Sequence, residues 1–181
     1  MEEQELATKC ARGDREAREE LFKRYSSRLY ALCLRYTRNR QEADDLLQDA
    51  FVRVFDKIGR FQWQGEGSLL RWMSRITLNL FFDKARRRRL MRETDIGPLE
   101  ETLPEPDYQE TLQVPPEKLK TFLDGLPERY RTVFQLYCID NLSHAEIAGL
   151  LGIKEKTSSA DLARARALLS RQIKAYLYEN E

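Results

Sequence analysis

Apolar residues recur at three- and four-residue steps through most of this chain, and the pattern predicts helices. Between 17 and 37, Ala17, Leu21, Tyr25, Leu29, Leu32, Cys33 and Tyr36 fall on one helical face. From 42 to 58 the rhythm is cleaner: Ala43, Leu46, Leu47, Ala50, Phe51, Val54, Phe55 and Ile58 make one buried stripe, and Gly59 supplies a stop. A third helix follows the Gly-containing stretch 61–68. Ser68 is its expected N-cap, and Leu69, Trp72, Met73, Ile76 and Leu80 are its inward face. Period-two alternation, the mark of strands, is absent, and no internal repeat is visible. The fold class is all-α.

Helical spacing resumes at Lys118. Leu119, Phe122 and Leu123 lead to Leu126-Pro127, where proline favours a helix start. Tyr130, Val133, Phe134, Tyr137 and Cys138 form the next stripe, and Asp140-Asn141 breaks it. Ser143 and Glu146 then make a capping box, with Leu142 placed to staple onto Ile147. Ile147, Ala148 and Leu151 face inward, Gly152 closes the helix, and Ile153 plugs the turn. A further helix runs through Leu162, Ala165, Leu168 and Leu169. A short helix, a glycine turn and a second amphipathic helix are the parts of a helix-turn-helix, whose second helix enters the DNA major groove. An ordinary three-helix bundle has the same spacing. His144, with no second histidine, reads as exposed and incidental.

Charge divides the chain. The 181 residues carry 31 Lys and Arg against 30 Asp and Glu. Residues 1–92 hold 21 basic and 14 acidic side chains, and residues 118–181 hold 10 and 8. Residues 93–117 hold eight acidic side chains, no basic one, and five of the six prolines. Like charges repel and proline removes backbone donors, so this block reads as a linker rather than a packed core. The organisation is then two small helical domains, 1–92 and 118–181, joined by 93–117.

Composition removes several classes. No apolar run approaches the length of a membrane span, and the mixed, acidic opening MEEQELATKC does not read as a signal peptide. Three widely spaced cysteines argue against a disulfide framework and for a reducing, cytoplasmic compartment. A single histidine leaves little room for a catalytic triad or a histidine metal site.

Two polar faces remain to be explained. On the 42–58 helix Asp45, Gln48, Asp49, Val52 and Asp56 form one stripe. It reads as a solvated face, as a docking stripe for a basic partner, or as a metal site. The last is prompted by a loose likeness of DDLLQD to the aspartate-rich motifs of prenyl-diphosphate enzymes, which need a second facing carboxylate cluster. On the next helix Arg71, Arg75, Asn79, Phe82 and Arg86 line one face that runs into Lys84 and Arg86-Arg87-Arg88-Arg89. Arginines pair with phosphates, and aromatics such as Phe61, Trp63 and Trp72 stack on unpaired bases. Equally, Trp72 suits a core position and the arginines suit a solvated helix end.

Taken in order, QEADDLLQDAFVRVF (41–55), GEGSLLRWMSRITLN (65–79), LPERYRTVFQLYCIDNLSHAEIAGLLGI (126–153) and LARARALL (162–169) resemble bacterial sigma factors of the extracytoplasmic-function branch. The resemblance covers nearly the whole chain. It implies that Asp45, Gln48, Asp49 and Val52 dock on the clamp helices of the largest subunit of core RNA polymerase. It implies that 61–90 reads and melts the minus-ten promoter element, through Phe61, Trp72, Arg75, Asn79, Arg86 and Arg87, with the 61–68 loop holding a flipped base. It implies that 154–166 reads the minus-thirty-five duplex, through Lys154, Lys156, Thr157, Ser158, Ser159, Asp161, Arg164 and Arg166. Asp161 is unusual there, because a carboxylate repels phosphates yet accepts a hydrogen bond from a cytosine amino group. The linker, able to span about 80 Å when extended, would thread toward the RNA exit channel.

The partners so implied are core polymerase, duplex and single-stranded promoter DNA, and an anti-sigma factor. No cofactor, catalytic residue or metal ligand is expected. Two other readings compete: a stand-alone helix-turn-helix regulator, and a Mg²⁺-dependent diphosphate enzyme using Asp44, Asp45 and Asp49.

Overall fold

The computed structural model describes residues 1–37, 39–87 and 111–179, with the side chains of 85–87 excepted. The chain divides into two compact units, Met1–Leu90 and Met91–Glu181. Among the described residues all regular structure is helical.

Among its described residues the first unit has four α-helices: α1 (Glu3–Ala11), α2 (Arg15–Tyr36), α3 (Arg40–Lys57) and α4 (Ser68–Arg87). Local chemistry starts two of them. The Asp14 carboxylate accepts from Ala17 N at 2.9 Å ahead of α2. The Asn39 side chain accepts from Glu42 N at 2.8 Å ahead of α3. Each satisfies a backbone donor that has no partner within its helix. The inward stripes of α2 and α3 are buried as their spacing predicts, with Tyr36, Leu47 and Phe55 partly so. A 3₁₀ turn, Ile58–Arg60, ends α3 at Gly59. The sequence reading assigned no element to 3–11, yet α1 buries Leu6, Ala7 and Cys10 against α2 and this 3₁₀ turn.

Helix α4 departs from expectation at both ends. Ser68 does not cap it; Ser68 is buried as the first helical residue. Phe82, assigned to the polar face, is buried, with its ring 5.7 Å from Tyr36 and 5.0 Å from Phe81. Thr77 and Leu78 are buried beside Ile76. The reason is that α4 packs against both α2 and α3, so more than one stripe is covered. The buried Thr77 hydroxyl is satisfied by donating to Met73 O at 3.0 Å.

The second unit contains α5 (Pro116–Asp124), α6 (Glu128–Phe134), α7 (His144–Leu151) and α8 (Glu155–Glu179). The expected linker 93–117 overlaps it. Val114 is buried and Pro116 opens α5, so the last residues of that block are folded here. Residues 93–110 lie outside the described residues. Pro127 immediately precedes α6, whose continuation Gln135–Ile139 is a π-helical turn with Asp140 N donating to Gln135 O at 3.0 Å. The wider turn shifts the helical register. Leu136 is therefore fully buried, while Cys138, assigned to the apolar stripe, is exposed together with Ile139. The Ser143–Glu146 capping box is present, and Leu142 and Ile147 are both buried beside it. Gly152 caps α7 at φ 70°, ψ 31°, the left-handed region where glycine carries no Cβ penalty.

Candidate nucleic-acid interface

The α3 stripe faces outward. Asp45, Gln48, Asp49, Val52 and Asp56 are all exposed, and Val52 is 63% exposed within the acidic row. An apolar side chain left in water among carboxylates suits a partner surface that is both basic and apolar. One member reaches its neighbour helix: Lys84 of α4 forms an ion pair with Asp49. No group of three or more His, Cys, Asp or Glu side chains among the described residues is placed to hold a metal ion.

On α4 the exposed face carries Arg71, Arg75 and Asn79. The Asn79 amide turns back along its own helix and donates to Arg75 O at 2.8 Å. Arg86 and Arg87 lie in the last turn of the helix, but their side chains are outside the described residues, as are Arg88 and Arg89. Trp72 is half-buried, and its ring meets Phe61 at 5.4 Å with a 56° tilt. The pair forms the aromatic base of the 61–67 loop, and Trp63, 47% exposed, stands out from that loop. A row of arginines beside accessible rings is the chemistry that binds unpaired nucleic acid.

The loop is held by a residue that the sequence reading missed. Glu3 of α1 accepts from Gly67 N at 2.8 Å and Leu69 N at 2.5 Å, and its carboxylate lies 3.4 Å from the Ser68 hydroxyl, which donates to it. Gln64 N donates in turn to Ser68 Oγ at 3.2 Å. Gly67 sits at φ +77°, which turns its amide to the carboxylate. A distant carboxylate thus does the work assigned to Ser68, at the positive end of the α4 dipole. No local sequence signal marks a cap supplied from 64 residues away. Burial, and after it the charge of Glu3, pushes the pKa of the neighbouring Tyr25 phenol above its ordinary value, so the phenol is harder to ionise.

In the second unit the start of α8 separates into two faces. Lys154, Lys156 and Ser159 are exposed, and Thr157 is half-buried. Ser158 is a correction: it is fully buried, with Oγ hydrogen-bonded to His144 Nδ1 at 2.9 Å. His144 is accordingly not an incidental exposed side chain, and its ring stacks on Tyr137 at 4.6 Å. Asp161 is a second correction. It is fully buried and accepts from Arg129 Nε of α6 at 2.6 Å and from Arg164 Nη1 at 3.4 Å. It therefore meets neither phosphate nor cytosine. Arg164 is spent on Asp161 and on the Tyr130 ring, 5.9 Å away. Arg166 is half-buried and lines a recess of about 490 Å³ with Leu119, Phe134, Cys138 and Leu169. Of the residues expected to read DNA at 154–166, Lys154, Lys156 and Ser159 are thus exposed, and Thr157, Arg164 and Arg166 are half-buried.

Comparison with known proteins gives two family matches in chain order: Sigma-70 region 2 over residues 21–90 and Sigma-70, region 4 over residues 117–169. The chain is 34% identical over 165 residues to the ECF RNA polymerase sigma factor SigE of Mycolicibacterium smegmatis; the match covers 88% of this chain and 61% of that protein, so the chain spans about three fifths of its length. It is 32% identical over 168 residues to the ECF RNA polymerase sigma factor SigM of Mycobacterium tuberculosis, covering 92% of this chain and 82% of that protein. Among solved structures, the sigma factor RpoE bound to the anti-sigma factor NepR from Bartonella quintana superposes with a TM-score of 0.52 at 21% identity, over 86% of this chain and 96% of that one.

Proposed function

The chain belongs to the extracytoplasmic-function sigma factors, and on that premise we propose how its two units divide the work of promoter-specific transcription initiation by RNA polymerase. Residues 1–92 bind core polymerase and the minus-ten element, residues 118–181 read the minus-thirty-five element, and 93–117 joins them up to its folded end at Val114–Glu117, which packs with the second unit. The protein acts by binding, in the cytoplasm where core polymerase works, and the bond-making chemistry belongs to the polymerase.

Asp45, Gln48, Asp49 and Val52 dock on the clamp helices of the largest subunit. The carboxylates supply orientation, and burial of Val52 supplies contact area. Phe61, Trp72, Arg75, Asn79, Arg86 and Arg87 act on the non-template strand. Arginines neutralise the backbone while the ring pair and loop receive unstacked bases, which offsets the cost of opening the duplex. Lys154 and Lys156 position α8 on phosphates, while Thr157 and Ser159 face base edges in the major groove. An anti-sigma factor holds the free protein, as NepR is bound to the similar RpoE.

The observation that carries this reading is the exposed stripe of α3 set on the same unit as the aromatic-and-arginine face of α4. Its test is reconstitution with core polymerase, followed by transcription from a randomised promoter pool. Tight core binding with selection of two separated sequence blocks supports it. Duplex binding by the isolated chain, with no affinity for core, would replace it with a stand-alone helix-turn-helix regulator.

A further inference from the structure

Glu3 stands outside both regions that match known families. Its carboxylate nevertheless holds three donors of the segment through which this chain is proposed to meet the minus-ten element: Gly67 N, Ser68 Oγ and Leu69 N. We propose that Glu3 is a positioning residue for promoter selectivity, setting from α1 the conformation of the 61–68 loop that receives an unstacked base.

The geometry supports a specific role rather than general packing. Gly65 and Gly67 both have positive φ, and a loop containing such glycines has many conformations open to it unless its amides are fixed. Ser68 Oγ links the two ends of the device, accepting from Gln64 N while donating to Glu3. The carboxylate therefore constrains 64 through 69, the stretch that directly follows Trp63 and leads into Trp72 one turn into α4. Charged acceptors on backbone amides make strong hydrogen bonds, more so at a helix N-terminus. Helix α1 is itself anchored on both sides: Leu6, Ala7 and Cys10 are buried, and Arg24 of α2 donates to Met1 O at 2.8 Å. A side chain on a fixed helix thus presses a defined shape onto a loop that has little packing of its own.

This inference rests on the proposed role of the loop, so its test reads loop structure and promoter choice separately. Glu3→Ala, Glu3→Gln and Leu6→Ala are compared, the last removing buried α1 packing while keeping the carboxylate. Hydrogen exchange on the free proteins comes first. Protection of the Gly67 and Leu69 amides should fall in Glu3→Ala and persist in Leu6→Ala measured where it is fully folded. Equal protection in wild type and Glu3→Ala overturns the proposal whatever the protein does. Reconstituted polymerase is then used to transcribe a pool randomised in the minus-ten element. Glu3→Ala should lose roughly tenfold in preference for the selected base at one position, with core affinity and minus-thirty-five preference retained. Glu3→Gln, which keeps an oxygen acceptor, should fall between. If Leu6→Ala blurs selection in the same way, or Glu3→Ala selects as wild type does, Glu3 serves stability alone. If wild type itself shows no core binding, the functional reading fails, while the exchange result still decides whether Glu3 holds the loop.

Discussion

Arg129 Nε donates to Asp161 Oδ2 at 2.6 Å, joining the first turn of α6 to the N-terminal part of α8 across 32 positions of sequence. Arg164 closes on the same carboxylate, and its guanidinium lies over Tyr130. Asp161 has no accessible surface. The cluster fixes how α8 is rotated on its support, so it decides which side chains of 154–166 look outward.

Removing the buried carboxylate should therefore cost more than an average substitution. Asp161→Ala leaves two guanidinium groups facing each other without their anion, and about 3 kcal/mol of second-unit stability is expected to go. Pairing Arg129→Met with Asp161→Leu should cost less than Asp161→Ala alone, because one guanidinium rather than two is left without its anion, and that one, Arg164, keeps part of its surface in water. Urea unfolding of the three proteins checks this; equal stability of Asp161→Ala and wild type would remove the cluster from the account of α8.

The α3 stripe makes a different prediction, since its residues are exposed. Asp45→Lys with Asp49→Lys should weaken core polymerase binding by roughly a hundredfold, from lost attraction and new repulsion. The melting temperature should move little, because the Lys84–Asp49 pair is open to water and contributes at most about 1 kcal/mol. Transcription that survives the double reversal would argue that polymerase docks elsewhere.

At the start of α8, phosphate and base contacts separate by their salt response. Lys156→Ala should weaken minus-thirty-five duplex binding evenly across sequences and lower the salt slope by about one. Ser159→Ala should leave the slope unchanged and alter base preference at one position. Fluorescence anisotropy over a salt series distinguishes them, and identical slopes in wild type and Lys156→Ala would take that lysine off the backbone.

Burial pushes the Cys10 thiol up to about 11 and the Cys33 thiol up to about 12, against an ordinary value of 9.0. Both raised values favour the protonated, folded form. Below pH 9 the contribution is complete, because both states hold the proton. From pH 9 toward 12 the unfolded chain ionises first and binds fewer protons, so first-unit stability falls as pH rises. Denaturation midpoints across this range should drop more steeply for wild type than for a Cys10→Ala, Cys33→Ala double variant. In the native protein at neutral pH a thiol reagent should modify exposed Cys138 quickly and the buried pair only on unfolding.

The helical class, the inward faces of α2 and α3, the Ser143–Glu146 box and the glycine stop at 152 are all legible along the chain before any packing is known. Each of these depends on residues within one or two turns of each other, where spacing maps directly onto a face. The sequence also marked the outward-facing acidic stripe of α3, since a polar row opposite a buried stripe must face outward. Tertiary structure decided the rest. The π turn at 135–139 moved Leu136 inward and Cys138 outward, and a register shift of that kind has no fixed sequence sign. Phe82 went into the core because α4 is covered by two helices, not one. Ser158 and Asp161 turned inward because His144 and Arg129, distant in sequence, satisfy them there. Glu3 reached Leu69 for the same reason: a buried or helix-terminal polar group takes the partner that folding brings to it, and that partner is set by packing rather than by proximity along the chain.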